Sequence, residues 1–249
     1  MITVDSLIDR HGGKLGFVLG SGPSLRHIKP EQLSEYVTIA VHSAVSKFDH
    51  ADYFIADDVS VKHWDYYQHI LPKSSCIYLL FKNKLEKEYS HLDSDRVCLF
   101  THKTWYEPST RKHYPDGLVL TKGEPIIGAR TAAGSAVHFL YLMGCDPIVL
   151  LGCDCCYEGK NRYFWQFEDQ RMCKRLDGEK FWNLPNAGIK DGKRFDNHAA
   201  DFMQYWKALS KQSSQQNVNI ISASGGLLDS FPQMTLDEVL KAYGDRKKL

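Results

Sequence analysis

Gly20-Ser21-Gly22-Pro23-Ser24 closes an apolar run that begins at residue 15. A glycine turn between a strand and a helix gathers backbone N–H groups and a helix N-terminus at one point, an arrangement that binds phosphate. Pro23 suits the first helical turn, where its missing N–H costs nothing. Two fingerprints fail on residue type. The dinucleotide pattern G-x-G-x-x-G needs a third glycine, and Leu25 stands there. It also needs an acidic residue about twenty positions on, where this chain has Ala40-Val41-His42. A Walker loop needs Gly-Lys-Ser/Thr, which the chain lacks. A different phosphate or nucleotide turn remains, with a plain tight turn as the competing reading.

Carboxylates offer a second chemistry. Asp57, Asp58 and Asp154 fall where predicted strands end. Together they could hold Mg²⁺ against a triphosphate, as a pyrophosphokinase requires. Singly, each is an ordinary strand-end cap. Asp154 stands apart because it follows the most continuously apolar strand. Cys153-Asp154-Cys155-Cys156 raises a zinc site, but no second cysteine pair answers it. Buried thiols and no metal centre is the reading taken.

The elements that must position these groups follow from periodicity. Short apolar or β-branched runs at 15–20, 37–45, 51–58, 74–81, 95–101, 147–154 and 217–224 predict strands. Helices are predicted around 30–36, over 129–145 with Thr131 as cap and Gly144 as stop, over 198–214 and over 235–244. Small residues at Ala132, Ala133, Gly134 and Ala136 allow a close approach to the sheet. Residues 102–128 read as a loop-rich excursion, and 155–195, with Tyr157, Tyr163, Trp165 and Trp182, as a long loop or lid. This alternation predicts an α/β fold with a doubly wound, mainly parallel sheet, in one domain over 1–249. Ligands of such sheets sit at the carboxyl ends of strands. That edge gathers the 20–24 turn, His42-Ser43, Asp57-Asp58, Thr131 and Asp154.

Several blocks taken together carry a resemblance. They are "GSGPSL" at 20–25, the polar pair His42-Ser43 after the second strand, "TAAGSAVHFLYLMGCDPIVLLGCDCCYEGKNRY" at 131–163, and "FDNHAADF" around His198. The chain resembles the sialyltransferases of glycosyltransferase family 42. It also resembles the related domain of unknown function 115, which includes flagellin glycosylation factors and the archaeal hydroxymethylpterin pyrophosphokinase. The resemblance implies a Rossmann-like, GT-A-variant sheet and a metal-independent, inverting transfer from a nucleotide-sugar to an acceptor hydroxyl. It implies His198 as the base, Tyr157 and Tyr163 as donors to the leaving phosphate, and Gly20, Ser21, Gly22, Pro23, Ser24, His42, Ser43, Thr131, Ala132, Ala133 and Asp154 around the nucleotide. Lys160 and Arg162 between the tyrosines would add positive charge. No cofactor beyond the donor is implied. The family asparagine of the glycine turn is Ser21 here, and its Cys-Asn-Gln is Val41-His42-Ser43, so the donor stays open. Two other readings stand beside this one. The first is the Mg-dependent pyrophosphokinase. The second is a nucleotide-binding module without turnover, using His102, Trp105, Tyr106 and His113 as a recognition surface; Lys103, Arg111 and Lys112 among them allow only a minor nucleic-acid contact.

Composition bounds the partners. Lys+Arg number 31 against 30 Asp+Glu in 249 residues, which argues against nucleic acid. No run of eighteen apolar residues and no leader pattern is present, so no membrane span is expected. Seven cysteines, an odd number, fit reduced thiols in a cytoplasmic protein. The resemblance also allows a homo-oligomer.

Overall fold

The computed structural model describes residues 1–104, 106–107, 112–113, 118–128, 131–171, 173–178 and 186–248. Trp105, Arg111 and Trp182 lie outside the described residues, as do the side chains of Tyr106, Lys112 and His113.

Seven parallel strands form the central sheet: β1 Gly16–Leu19, β2 Val37–Val41, β3 Tyr53–Ala56, β4 Ile77–Phe81, β5 Val97–Phe100, β10 Ile148–Leu151 and β13 Ile220–Ser222. Their order is β13-β10-β1-β2-β3-β4-β5. The chain steps outward from β1 to β5, then returns to lay β10 on the other side of β1. The strand order therefore reverses between β1 and β10. Every residue of β1, β2, β3 and β10 is buried, as continuous apolar runs predict for strands covered on both faces.

The two covering layers differ. On one face lie α2 (Ala132–Leu142) and α3 (Asn197–Gln215), packed with Val18 and Ile39. Helix α2 is buried nearly all round, which is why its sequence shows no polar stripe. Its Gly134 admits Tyr205 of α3: a Cβ there would collide with the Tyr205 ring. The small residue thus serves helix–helix contact rather than the sheet approach expected. On the other face, Phe17 and Leu19 lie in a layer made mostly of short turns, with two short helices, Lys82–Leu85 and Leu236–Tyr243. The helix expected around 30–36 is one short 3₁₀ segment, Pro30–Leu33, which follows another at Pro23–His27. Pro30 explains the break: a proline cannot continue a helix from the preceding turn. Helix α1 is a single turn, Lys82–Leu85, and α4 is Leu236–Tyr243.

The excursion after β5 contains small ladders. β6 (His102–Thr104) pairs with β9 (Ile126–Gly128), and β7 (Tyr106–Glu107) with β8 (Lys112–His113). Within 155–195, expected as irregular, β11 (Asn186–Lys190) and β12 (Lys193–Asp196) make an antiparallel hairpin. Among the described residues no helix is long and apolar enough to cross a membrane.

Candidate active site

The glycine turn and the strand-end segment after β10 touch through backbone. The Gly20 N–H donates to Leu151 O (2.7 Å) and the Gly22 N–H to Gly152 O (2.7 Å). There is no room for side chains. A Cβ on Gly20 or Gly22 would strike Gly152 O, and one on Gly22 would also strike the Asp154 carboxylate. Gly152 takes φ +65°, a conformation that favours glycine. The Ser24 N–H donates to Asp154 Oδ2 at 2.9 Å. The turn is thus clamped at the point where strand order reverses, the position at which open α/β sheets bind ligands.

Hydroxyls fix its other side. Ser21 Oγ donates to Val41 O (3.0 Å), and Ser43 Oγ donates to Ser21 Oγ (2.9 Å). His42 sits between these contacts with φ +50°, a left-handed conformation that costs a non-glycine residue energy. Its Nε2 lies 3.5 Å from Asp57 Oδ1. Burial pushes the Asp57 carboxyl up, yet the His42 contact, with charge from His102 and Lys84, holds it below its ordinary range. Asp58 is exposed, and its Oδ1 accepts the Ser60 N–H at 3.0 Å.

Asp154 is buried, and its Oδ1 has no hydrogen-bond partner. Burial pushes its carboxyl up to about 6, against the opposing pull of Ser24. Burial likewise pushes the Cys153 and Cys155 thiols up, and that of Cys156 up to about 11. These thiols stay protonated near neutral pH. Among the described residues no three His, Cys, Asp or Glu side chains gather as a metal-ligand set. The three aspartates of the Mg²⁺ alternative are therefore separately engaged rather than clustered.

A third group of residues comes from the 155–195 segment and the start of α3. Asp196, fully buried, caps α3 by accepting the Ala199 N–H at its Oδ1 (2.8 Å). Its Oδ2 accepts the Tyr157 O–H (2.9 Å) and lies 3.2 Å from Arg162 Nη1. Tyr163 stacks on Trp165 with the rings 5° apart, and the Phe164 N–H donates to Ser21 O (3.1 Å), which ties this segment to the glycine turn. His198 is exposed in the first turn of α3.

All these groups meet around one cavity of about 570 Å³. Of the residues the sequence singled out, Gly20, Ser21, Gly22, His42, Ser43, Thr131, Ala132, Ala133, Asp154, Tyr157, Tyr163 and His198 line it, as do Asp57 and Asp58. Pro23 and Ser24 do not; they line a neighbouring groove. Thr131 caps α2 as expected, its Oγ1 accepting the Ala133 N–H at 3.3 Å. His102 is not displayed for recognition: it stacks on Phe81 (4.0 Å between rings) and lies 3.3 Å from Ser135 Oγ. Sequence reasoning missed Asp196, although an Asp placed before a helical apolar pattern is a cap signal. It also missed Trp64 and Tyr66, which complete an aromatic wall with Trp165, a residue the sequence marked only as part of the lid.

Comparison with known proteins completes the description. The solved structure of a MAf glycosyltransferase from Magnetospirillum magneticum AMB-1 aligns with 98% of this chain at 12% identity and a TM-score of 0.48. The chain spans 40% of that protein's length. No curated protein matches the chain. A family pattern described as "6-hydroxymethylpterin diphosphokinase MptE-like" matches residues 2–160, well over half of the sequence and including the glycine turn, Thr131 and Asp154. With that match laid over the clamped turn at the strand reversal, the chain belongs to the MptE-like family.

Proposed function

We propose that the protein is a nucleotide-dependent transferase that moves a sugar from a nucleotide-sugar donor to an acceptor hydroxyl. One observation carries this reading: the glycine turn, Asp154 and His198, far apart in sequence, line a single cavity at the strand reversal. The donor's phosphate takes the turn at Gly20-Ser21-Gly22, flanked by His42, Ser43 and the Thr131 start of α2. His198 is the base that removes the acceptor's proton. The acceptor oxygen then bonds to the sugar carbon, the carbon–phosphate oxygen bond breaks with inversion, and its electron pair leaves on the phosphate. Tyr163 and Arg162 line the wall that faces this charge. Tyr157 directs its O–H to Asp196 and so holds the first turn of α3, and His198 with it, in register. The 155–195 segment serves as the lid. The reading needs no cofactor beyond the donor.

The family description favours a second reading, diphosphate transfer from a nucleoside triphosphate with Mg²⁺. The matched stretch holds Asp57, Asp58 and Asp154 but ends before Tyr163 and His198. The separate engagement of those aspartates gives the ion no ready ligand set, so this reading ranks second.

Thermal shift with CMP, CDP, UDP, GDP and ATP, with and without Mg²⁺, separates the two. A nucleoside mono- or diphosphate is expected to stabilise the protein without Mg²⁺. Stabilisation by ATP only with Mg²⁺ overturns sugar transfer in favour of the second reading. No shift with any nucleotide favours a module without turnover. With the donor found, His198→Ala should lower turnover at least about a hundredfold. Its stability should stay within about 0.5 kcal/mol, as expected for an exposed side chain.

A further inference from the structure

Beside the main cavity, and separated from it by Asp154, Cys156 and Tyr157, lies a second groove of about 380 Å³. Its charge balance is unusual. Lys193 sets its Nζ on the carbonyls of Gly225 (2.6 Å) and Gly226 (3.4 Å) and has no carboxylate partner among the described residues. The Arg194 guanidinium lies over the Tyr157 ring at 4.1 Å, and its buried Nε has no hydrogen-bond partner. The exposed acid at the rim, Glu158, is already neutralised by a two-pronged pair with Arg26. Neither cation makes a direct ion pair with a carboxylate among the described residues, although the charge of Lys193 reaches Asp154 and Glu158.

The backbone adds donors there. Among the described residues the amides of Gly225 and Gly226 have no hydrogen-bond partner. Gly225 takes φ +69°, a left-handed conformation that glycine adopts freely in a turn. Ser24 Oγ, also on the groove wall, is buried without a partner. One acceptor stands among these donors: Asp154, nearly fully buried, with Oδ1 unpartnered. A ligand that satisfies this set must present several anionic oxygens and one O–H. Sulfate has the oxygens but no proton near neutral pH. A carboxylate has too few oxygens. Hydrogen phosphate has both.

We infer that this groove is a separate anion site for a phosphate group, with Lys193, Arg194 and the Gly225-Gly226 amides donating to its oxygens and Asp154 accepting its P–O–H. The site does not depend on which group the main cavity transfers. The phosphate is either free or the end of a phosphorylated small molecule.

Amide chemical shifts of the full-length protein, titrated with inorganic phosphate, sulfate and glycerol 3-phosphate, test it. Phosphate should move the Gly225 and Gly226 amides first and bind about tenfold or more tighter than sulfate, the scale of one charge-assisted hydrogen bond. Glycerol 3-phosphate binding tighter than inorganic phosphate identifies a phosphorylated molecule as the occupant; the reverse order identifies the free ion. Lys193→Gln, which leaves the Tyr157 stack intact, should weaken phosphate about tenfold. It should leave the nucleotide-induced thermal shift unchanged, so failure here is distinct from failure of the transferase reading. Shifts confined to Gly20 and Gly22, unchanged phosphate affinity in Lys193→Gln, or sulfate binding as well as phosphate would each overturn the assignment.

Discussion

The two ends of the main cavity are held by opposite means. At the β1–β10 end, backbone meets backbone, and Gly20, Gly22 and Gly152 leave no space for a side chain. At the α3 end, one buried carboxylate, Asp196, joins a phenol, a guanidinium and a helix cap. The first end is rigid because any added atom collides. The second is rigid only while every polar partner is present, since a buried charge left unpaired is costly. The Gly20, Gly22 and Ser24 N–H groups of the first end are spent on Leu151 O, Gly152 O and Asp154 Oδ2, so this end is a fixed wall rather than a set of free donors. The second leaves His198 exposed on the first turn of α3, where the proposed base needs to be reached.

Asp196→Ala gives the largest expected effect. It removes the α3 cap, frees the Tyr157 O–H and leaves Arg162 without its counter-ion. A loss of about 4 kcal/mol is expected from urea unfolding. A loss under about 1 kcal/mol would show that the α3 end does not hang on this carboxylate and would erase the contrast. Gly22→Ala comes next, at about 2–3 kcal/mol, because its Cβ would press on Gly152 O and the Asp154 carboxylate. Calorimetry should also show that nucleotide no longer raises its melting temperature; a variant with native stability would mean that the clamp yields.

Asp154→Asn gives the smallest effect and sharpens the comparison most. The folded value of about 6 lies above the ordinary 3.8, because burial disfavours the charged form. The folded state therefore holds this proton more tightly than the unfolded chain. Asp154 favours folding below pH 3.8, and that contribution is lost as pH rises through about 6. The substitution should flatten the fall in stability across that window and leave the variant more stable than the parent at pH 7. A slope unchanged in the variant would assign it to other groups. A variant more stable than the parent at pH 7 would mark Asp154 as a residue kept for ligand binding rather than for folding.

The two ends were also unequally legible. Gly20-Ser21-Gly22 announced itself because a glycine pair after an apolar run has few structural uses. Asp154 was marked by the four buried residues before it. Tyr157 and His198 were picked out only through a family resemblance, since nothing local links residues 41 positions apart. Asp196, which does link them through Tyr157 and the α3 cap, was passed over. Pro30 was visible, yet the helix around it was still expected, because a short amphipathic pattern does not reveal that proline will win. Trp165 was marked as a lid aromatic, but its meeting with Trp64 and Tyr66 had no sequence signature, because the two halves of that wall meet only when the segment after β10 folds across the end of β3.

What the sequence by itself determined is the sheet and its reactive edge. Apolar runs of four or five residues must be buried on both faces, and their order and spacing require parallel strands with ligand groups at the carboxyl ends. Only the tertiary structure decided which of those groups share a cavity, which carboxylates are already paired, and where cations stand without a direct ion pair. Burial of a strand is a property of its own side chains. The pairing of Asp196 with Arg162, or of Gly225 and Gly226 with Lys193, depends on where distant segments are brought to rest, and local residue patterns do not encode that distance.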